Sequence, residues 1–116
     1  MILTNAQMLD SLAVLNQAEE KGILGFAIAQ NRRKIGAEVK EYADKREELL
    51  KEYGEEKEPG VYSITTDRYP AFSAALRPFA EMTVDVAVRQ VSVEDFISGA
   101  LTSSQMQTLE WMVKED

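Results

Sequence analysis

The strongest constraint on the fold of this chain is a long stretch, from Gly25 to Tyr53, that contains no proline and is dominated by helix-forming residues. Apolar residues recur along it every three, four or seven positions, which is the spacing of one helix face. The members of that face are Ile28, Ile35, Val39, Tyr42, Leu49 and Tyr53, interrupted by Arg46. Such a helix extends about 42 Å at ~1.5 Å per residue, whereas a compact domain of 116 residues is about 35 Å across. We therefore expect the helix to overhang the body of the domain.

A shorter helix is predicted before the long one. The Thr-x-x-Gln sequence that begins at Thr4 has the spacing of a capping box, and apolar residues follow it at helical intervals. Gly22 suits the left-handed conformation that ends a helix. Ile23 and Leu24, in the connection, are expected to fill the base of the core. Residues 1–54 are thus predicted to form a helical hairpin.

The remainder of the chain shows signals for both strands and helices. The charged segment 55–60 ends in Pro-Gly and is predicted to be a loop. Residues 61–66 and 83–91 are rich in β-branched residues and are predicted strands. A short or kinked helix over 69–82, with Pro78 inside it, connects them. We expect these two strands to pair in antiparallel fashion, although the length of the connection also permits a right-handed parallel crossover.

These assignments predict a single α+β domain over residues 1–116. Its N-terminal half is the helical hairpin with one long helix, and its C-terminal half, 61–116, is mixed. The mixed half contains a small two-stranded sheet and a C-terminal helix that closes the core. The size of the chain supports one core and no second domain.

The composition excludes most familiar catalytic chemistry. The chain has no cysteine and no histidine, which excludes disulfides, thiolate nucleophiles, imidazole bases and Cys/His zinc sites. It also lacks a glycine-rich phosphate loop and a recognisable nucleophile–base spacing. We therefore predict no catalytic, cofactor-binding or metal-binding residue and no enzymatic activity.

Charge and hydropathy restrict the partners and the location. The formal net charge of −7 repels phosphate backbones and anionic lipids, so neither nucleic acid nor a membrane is expected as a partner. The sequence has no apolar run long enough for a membrane span and no signal-peptide pattern at its start. A cytoplasmic location is the corresponding expectation.

One basic cluster, Arg32, Arg33 and Lys34, is a candidate contact for an anion or an acidic partner. Successive residues on a helix point about 100° apart, so the three side chains do not form one compact patch. A solvated helix face is the alternative interpretation.

The end of the long helix is the candidate protein interface. The first helix is too short to cover Leu49, Leu50 and Tyr53, so these residues must be covered either by the C-terminal half of the chain or by another molecule. An oligomer of this chain, or a complex with another protein, would bury them.

Two acidic pairs, Glu38 with Glu41 and Glu52 with Glu55, have the spacing by which all-helical nucleoside triphosphate pyrophosphohydrolases hold magnesium. On one continuous helix the pairs lie about 21 Å apart, too far to share an ion within one chain. A magnesium-dependent nucleotide-processing enzyme, assembled across an oligomer, is therefore an alternative to the solvated acidic face that the dense charge favours.

Four segments of the chain resemble a family of small uncharacterised proteins of phages and prophages of Gram-positive bacteria. They are Leu3-Thr4-Asn5, Ala27-Ile28-Ala29-Gln30-Asn31, the stretch from Glu47 to Gly54, and the stretch from Leu101-Thr102 to Trp111-Met112. The resemblance implies a phage origin and no particular mechanism. The resulting expectation is a non-enzymatic phage accessory or assembly protein, in the host cytoplasm or associated with the virion. Its partner would be a second copy or another phage or host protein.

Overall fold

The long helix is present in the computed structural model, which describes residues 1–114, and runs over 32 residues as α2 (Gly22–Tyr53). It begins three positions before the predicted start and ends at Gly54, whose N–H donates to the carbonyl oxygen of Leu50. Its length matches the longest dimension of the molecule, 46 Å, which exceeds the other two, 28 and 22 Å. The radius of gyration is 16.2 Å, against about 13 Å for a compact domain of this size.

The other elements are short, and the fold class is α+β as predicted. They are β1 (Ile2–Thr4), α1 (Asn5–Gln17), β2 (Glu55–Glu58), β3 (Val61–Ser63), α3 (Tyr69–Ala80), β4 (Thr83–Asp85), α4 (Val93–Ile97), α5 (Ser103–Thr108) and a 3-10 helix (Glu110–Met112). The strands form two separate two-stranded antiparallel sheets. The last two residues of the predicted domain lie outside the described residues.

Side-chain caps fix the starts of three helices. The Thr4 hydroxyl accepts from the N–H of Gln7 at 3.0 Å, and the Gln7 side chain accepts from the N–H of Thr4 at 2.8 Å. The same reciprocal pair joins Thr102 and Gln105 at the start of α5. The Ser92 hydroxyl caps α4. These bonds satisfy N–H groups that have no partner within the helix, and both capping boxes have the spacing visible in the sequence.

The predicted pairing of strands 61–66 and 83–91 is wrong. β4 pairs instead with β1, where Leu3 lies opposite Val84, and β3 pairs with β2. The segment 55–60, predicted as a loop, is therefore a strand followed by a hairpin turn, in which Gly60 adopts a φ of +81°. Every residue of β2 is exposed, so this strand lacks the alternation of apolar and polar residues by which strands are recognised.

The core lies between α1, the first two-thirds of α2 and the C-terminal segments. Its most buried members are Met8, Leu15, Ile28, Ile35, Leu109 and Met112. Leu24 is buried as predicted, but Ile23 is 64% exposed, because only Leu24 of the two faces the core. Along the chain after α3, Val86 is buried while Asp85 and Arg89 are exposed, in keeping with the alternation in the sequence.

Candidate protein-binding surfaces

Arg32, from the basic cluster, is used by the fold itself. Its Nε and Nη2 atoms donate to the carbonyl oxygen of Leu15 at 3.1 and 2.7 Å, and Nη2 also donates to that of Ala18 at 3.2 Å. These carbonyls belong to the end of α1, which carries the negative end of the helix dipole. Arg32 therefore terminates α1 and ties it to α2.

The other two residues of the cluster point elsewhere. Lys34 donates from Nζ to the carbonyl oxygen of Ala87 at 2.7 Å. Arg33 is exposed, and its side chain forms no hydrogen bond or ion pair within residues 1–114. The structure thus does not bring the three cations together, and only Arg33 keeps its charge away from a protein acceptor.

Asn31, beside this cluster, is a structural residue that our sequence reasoning did not single out. It is completely buried, and its side-chain amide pairs with the backbone N–H and C=O of Arg89. The signal in the sequence was an amide on the apolar face of α2, midway between Ile28 and Ile35. A buried amide at such a position requires polar partners from another segment.

The end of α2 is covered largely by the chain itself. Leu49 is buried, while Leu50 and Tyr53 are half-buried. α3 and the β2–β3 hairpin lie against this half of the helix, where Lys45 Nζ is 5.2 Å from the centre of the Phe79 ring. Leu49 is thus covered by the C-terminal half of the chain and not by another molecule. Little of the predicted interface is left for a partner.

A different set of apolar side chains is exposed at the other end of α2. Ile23 and Phe26, one helical turn apart, are 64% and 62% exposed. They flank a groove of about 310 Å³ whose far side includes Ser92 and Asp95, at the start of α4. We call Ile23 and Phe26 the end surface. On α4, which packs against α2, Val93 and Ile97 are also exposed.

The two acidic pairs do not form a metal centre within the described chain. Glu38, Glu41 and Glu52 are exposed along α2, and Glu55 lies in β2, where it forms an ion pair with Lys57 at 3.2 Å. Within residues 1–114, no three acidic side chains converge closely enough to hold a metal ion.

Two tyrosines have perturbed acidity for different reasons. Burial raises the pKa of Tyr42, whose ring packs in the core beside α1. The pKa of Tyr62 is also raised, because its hydroxyl donates to the Glu56 carboxylate at 3.0 Å and this bond favours the protonated phenol.

None of the helices in residues 1–114 combines the length and the apolar character needed to cross a bilayer. Comparisons with protein families, with curated proteins and with solved structures found no match to this chain.

Proposed function

We propose that this chain is a non-enzymatic phage or prophage accessory protein that works through protein–protein contacts in the host cytoplasm. The observation that carries the contact role is the exposure of Ile23 and Phe26 on one turn of α2. The phage origin is supported by the resemblance of the four sequence segments described above.

The chemistry of the end surface supports a protein partner. Single exposed apolar residues are common on protein surfaces, whereas contiguous apolar patches mark contact surfaces. Ile23 and Phe26 lie on the same helical turn beside a groove and contribute to such a patch. A phenylalanine that enters a partner's pocket removes a large apolar area from water, and aromatic residues are enriched in interfaces for this reason.

The partner is proposed to be a different protein rather than a second copy. Each copy carries a formal charge of −7, so two copies repel each other at low ionic strength. Arg89 and Lys114 also line the groove beside the end surface. An apolar partner segment with acidic flanks would fit the end surface and these two cations.

The test is capture from host cells by the tagged full chain after cross-linking, with the captured protein identified by mass spectrometry. We expect one protein to be recovered by the natural chain and lost with the double substitution Ile23→Ser and Phe26→Ser. The matched control is Val61→Ser with Met82→Ser, which removes two similarly exposed apolar side chains elsewhere. Equal recovery by both double variants would show that the end surface is not the contact.

Two further measurements decide the alternatives. Sedimentation at high protein concentration is expected to show a monomer, and a dimer that dissociates on Ile23→Ser with Phe26→Ser would make the partner a second copy.

Magnesium is expected to leave the melting temperature unchanged and to support no nucleotide hydrolysis. A magnesium-dependent increase in melting temperature together with turnover would establish the nucleotide-processing enzyme instead.

A further inference from the structure

A second and larger groove lies apart from the end surface, between β1, α1 and the C-terminal segment. Its volume is about 690 Å³, within the range of about 300 to 1,000 Å³ that is usual for ligand pockets. Ile2 lines one side, Asp10 and Ser11 of α1 line another, and Glu110 and Trp111 of the 3-10 helix line a third. We call this cavity the Trp111 groove.

Trp111 is held in place at this groove. Its Nε1–H donates to the hydroxyl of Ser11 at 3.0 Å, and Ser11 is 2% exposed. The ring is half-buried and contributes to the wall of the groove. An indole fixed in this way offers an aromatic surface without losing side-chain entropy on binding, and aromatic faces attract cations.

The groove carries negative charge that the described chain does not neutralise. Asp10 and Glu110 are exposed on two of its walls, and neither forms an ion pair within residues 1–114. Among residues 1–114, no lysine or arginine lines it. Met1 also lines the groove, but its amino group lies 3.0 Å from Asp85 Oδ1, which compensates its charge. The charge of the groove therefore complements a cation.

The backbone at Ile2 favours an extended ligand. On one side of it, the N–H of Val86 donates to Met1 O, and on the other the N–H of Asn5 donates to Met82 O, both at 2.9 Å. Backbone groups alternate in direction along an antiparallel strand, so the N–H and C=O of Ile2 point away from β4. Because Ile2 also lines the groove, this edge of β1 offers an extended segment a place to pair.

We propose that the Trp111 groove binds a short, extended, arginine-containing segment of a partner protein. A guanidinium group interacts with Asp10 and Glu110 and stacks on Trp111, and the backbone of the segment pairs with Ile2. Arginine suits the site better than lysine because its planar group both stacks on aromatic rings and bonds carboxylates. The inference goes beyond the proposed function, because it assigns a second contact site, apart from the end surface, and names the chemistry of the segment that this site takes.

The test titrates the full chain with a capped peptide in which arginine alternates with valine. Trp111 is the only tryptophan in the sequence, so its fluorescence reports occupancy of this groove directly. We expect a saturable change that weakens about tenfold when Asp10→Asn is combined with Glu110→Gln. The same double variant is expected to lose most of the salt dependence of binding, and slower hydrogen exchange of the Ile2 N–H should accompany occupancy.

Three controls can overturn the proposal. Glu41→Gln with Glu94→Gln removes the same charge from exposed positions elsewhere, and an equal loss of affinity would show a general charge effect. A peptide with glutamate in place of arginine is expected not to bind. Free arginine or spermidine binding as tightly as the peptide would show that the site takes a small cation instead of an extended segment.

The groove and the end surface can fail independently. Partner capture that depends on Ile23 and Phe26, without peptide binding at Trp111, would disprove only the groove inference. Peptide binding at Trp111, with capture insensitive to the end surface, would disprove only the contact role assigned to Ile23 and Phe26.

Discussion

Asn31 and Arg89 are joined by two hydrogen bonds between the side-chain amide of the first and the backbone of the second. Asn31 Nδ2 donates to the Arg89 carbonyl oxygen at 2.9 Å, and the Arg89 N–H donates to Asn31 Oδ1 at 2.7 Å. The side-chain amide of Asn31 thus bonds both backbone groups of Arg89, as the backbone of a neighbouring strand would. It fixes the chain after β4 against α2, next to the contact that Lys34 makes with Ala87.

Replacing Asn31 by leucine is expected to destabilise the chain by about 2 to 4 kcal/mol, because it leaves the N–H and the C=O of Arg89 without their partners against a partly buried apolar side chain. Denaturant unfolding of the natural and substituted chains measures the difference. Asn31→Asp provides the control: an ionised carboxylate accepts from the Arg89 N–H but repels its carbonyl oxygen, whereas the protonated acid can donate to that oxygen. The difference in the free energy of unfolding between this variant and the natural chain should decrease as the pH falls. Equal unfolding midpoints for the leucine variant and the natural chain would contradict this role.

The neighbouring arginines offer a matched pair of substitutions. Arg32→Met removes three hydrogen bonds to the end of α1 and is expected to cost about 1 to 2 kcal/mol, since both the bonds and the favourable charge at the helix end are lost. Arg33→Met removes an exposed charge and should change stability by no more than ~0.5 kcal/mol. Thermal unfolding of the two variants measures the difference. Equal losses of stability would mean that Arg32 does not cap α1.

Two glycines of α2 should respond to alanine in opposite directions. A Cβ at Gly25 would collide with the carbonyl oxygen of Glu20, which belongs to the fixed connection between α1 and α2. We expect Gly25→Ala to cost about 1 to 3 kcal/mol. At Gly36 the nearest atom to a Cβ is Leu12 Cδ1 at 3.8 Å, an ordinary contact, so Gly36→Ala should stabilise the helix by up to ~1 kcal/mol. If urea unfolding shows that both substitutions increase stability, the close approach at Gly25 is disproved.

The helices were predictable where their signals are local. Helix spacing along α2, the capping boxes at Thr4 and Thr102 and the stop at Gly54 each depend on residues a few positions apart. The strand pairing was not predictable in this way. β1 has three residues and β2 has no buried face, so neither leaves a periodic pattern, and their partners are chosen by tertiary contacts.

The candidate sites also combine features with a local sequence signal and features that depend on tertiary contacts. The cluster at Arg32 was visible as charge, but the sequence does not say that Arg32 and Lys34 point at carbonyl groups of distant segments. The exposure of Ile23 was missed because Ile23 and Leu24 were expected in the connection, whereas α2 already begins at Gly22. On a helix adjacent side chains point about 100° apart, and only Leu24 shares the buried face of Ile28. The Trp111 groove depends on residues from both ends of the chain and has no local signature.

The buried phenol of Tyr42 predicts a specific dependence of stability on alkaline pH. Burial raises its pKa above the ordinary value of 10.0, so the unfolded chain loses this proton at a lower pH than the folded chain does. The free energy of unfolding should therefore fall as the pH rises past this value, until the folded phenol also ionises. Tyr42→Phe removes that titration and should give a shallower fall in urea unfolding measured across this range. Tyr69→Phe, at a position that is 58% exposed, should keep the slope of the natural chain. If the Tyr42 and Tyr69 variants show the same slope, the alkaline loss of stability does not come from the buried phenol.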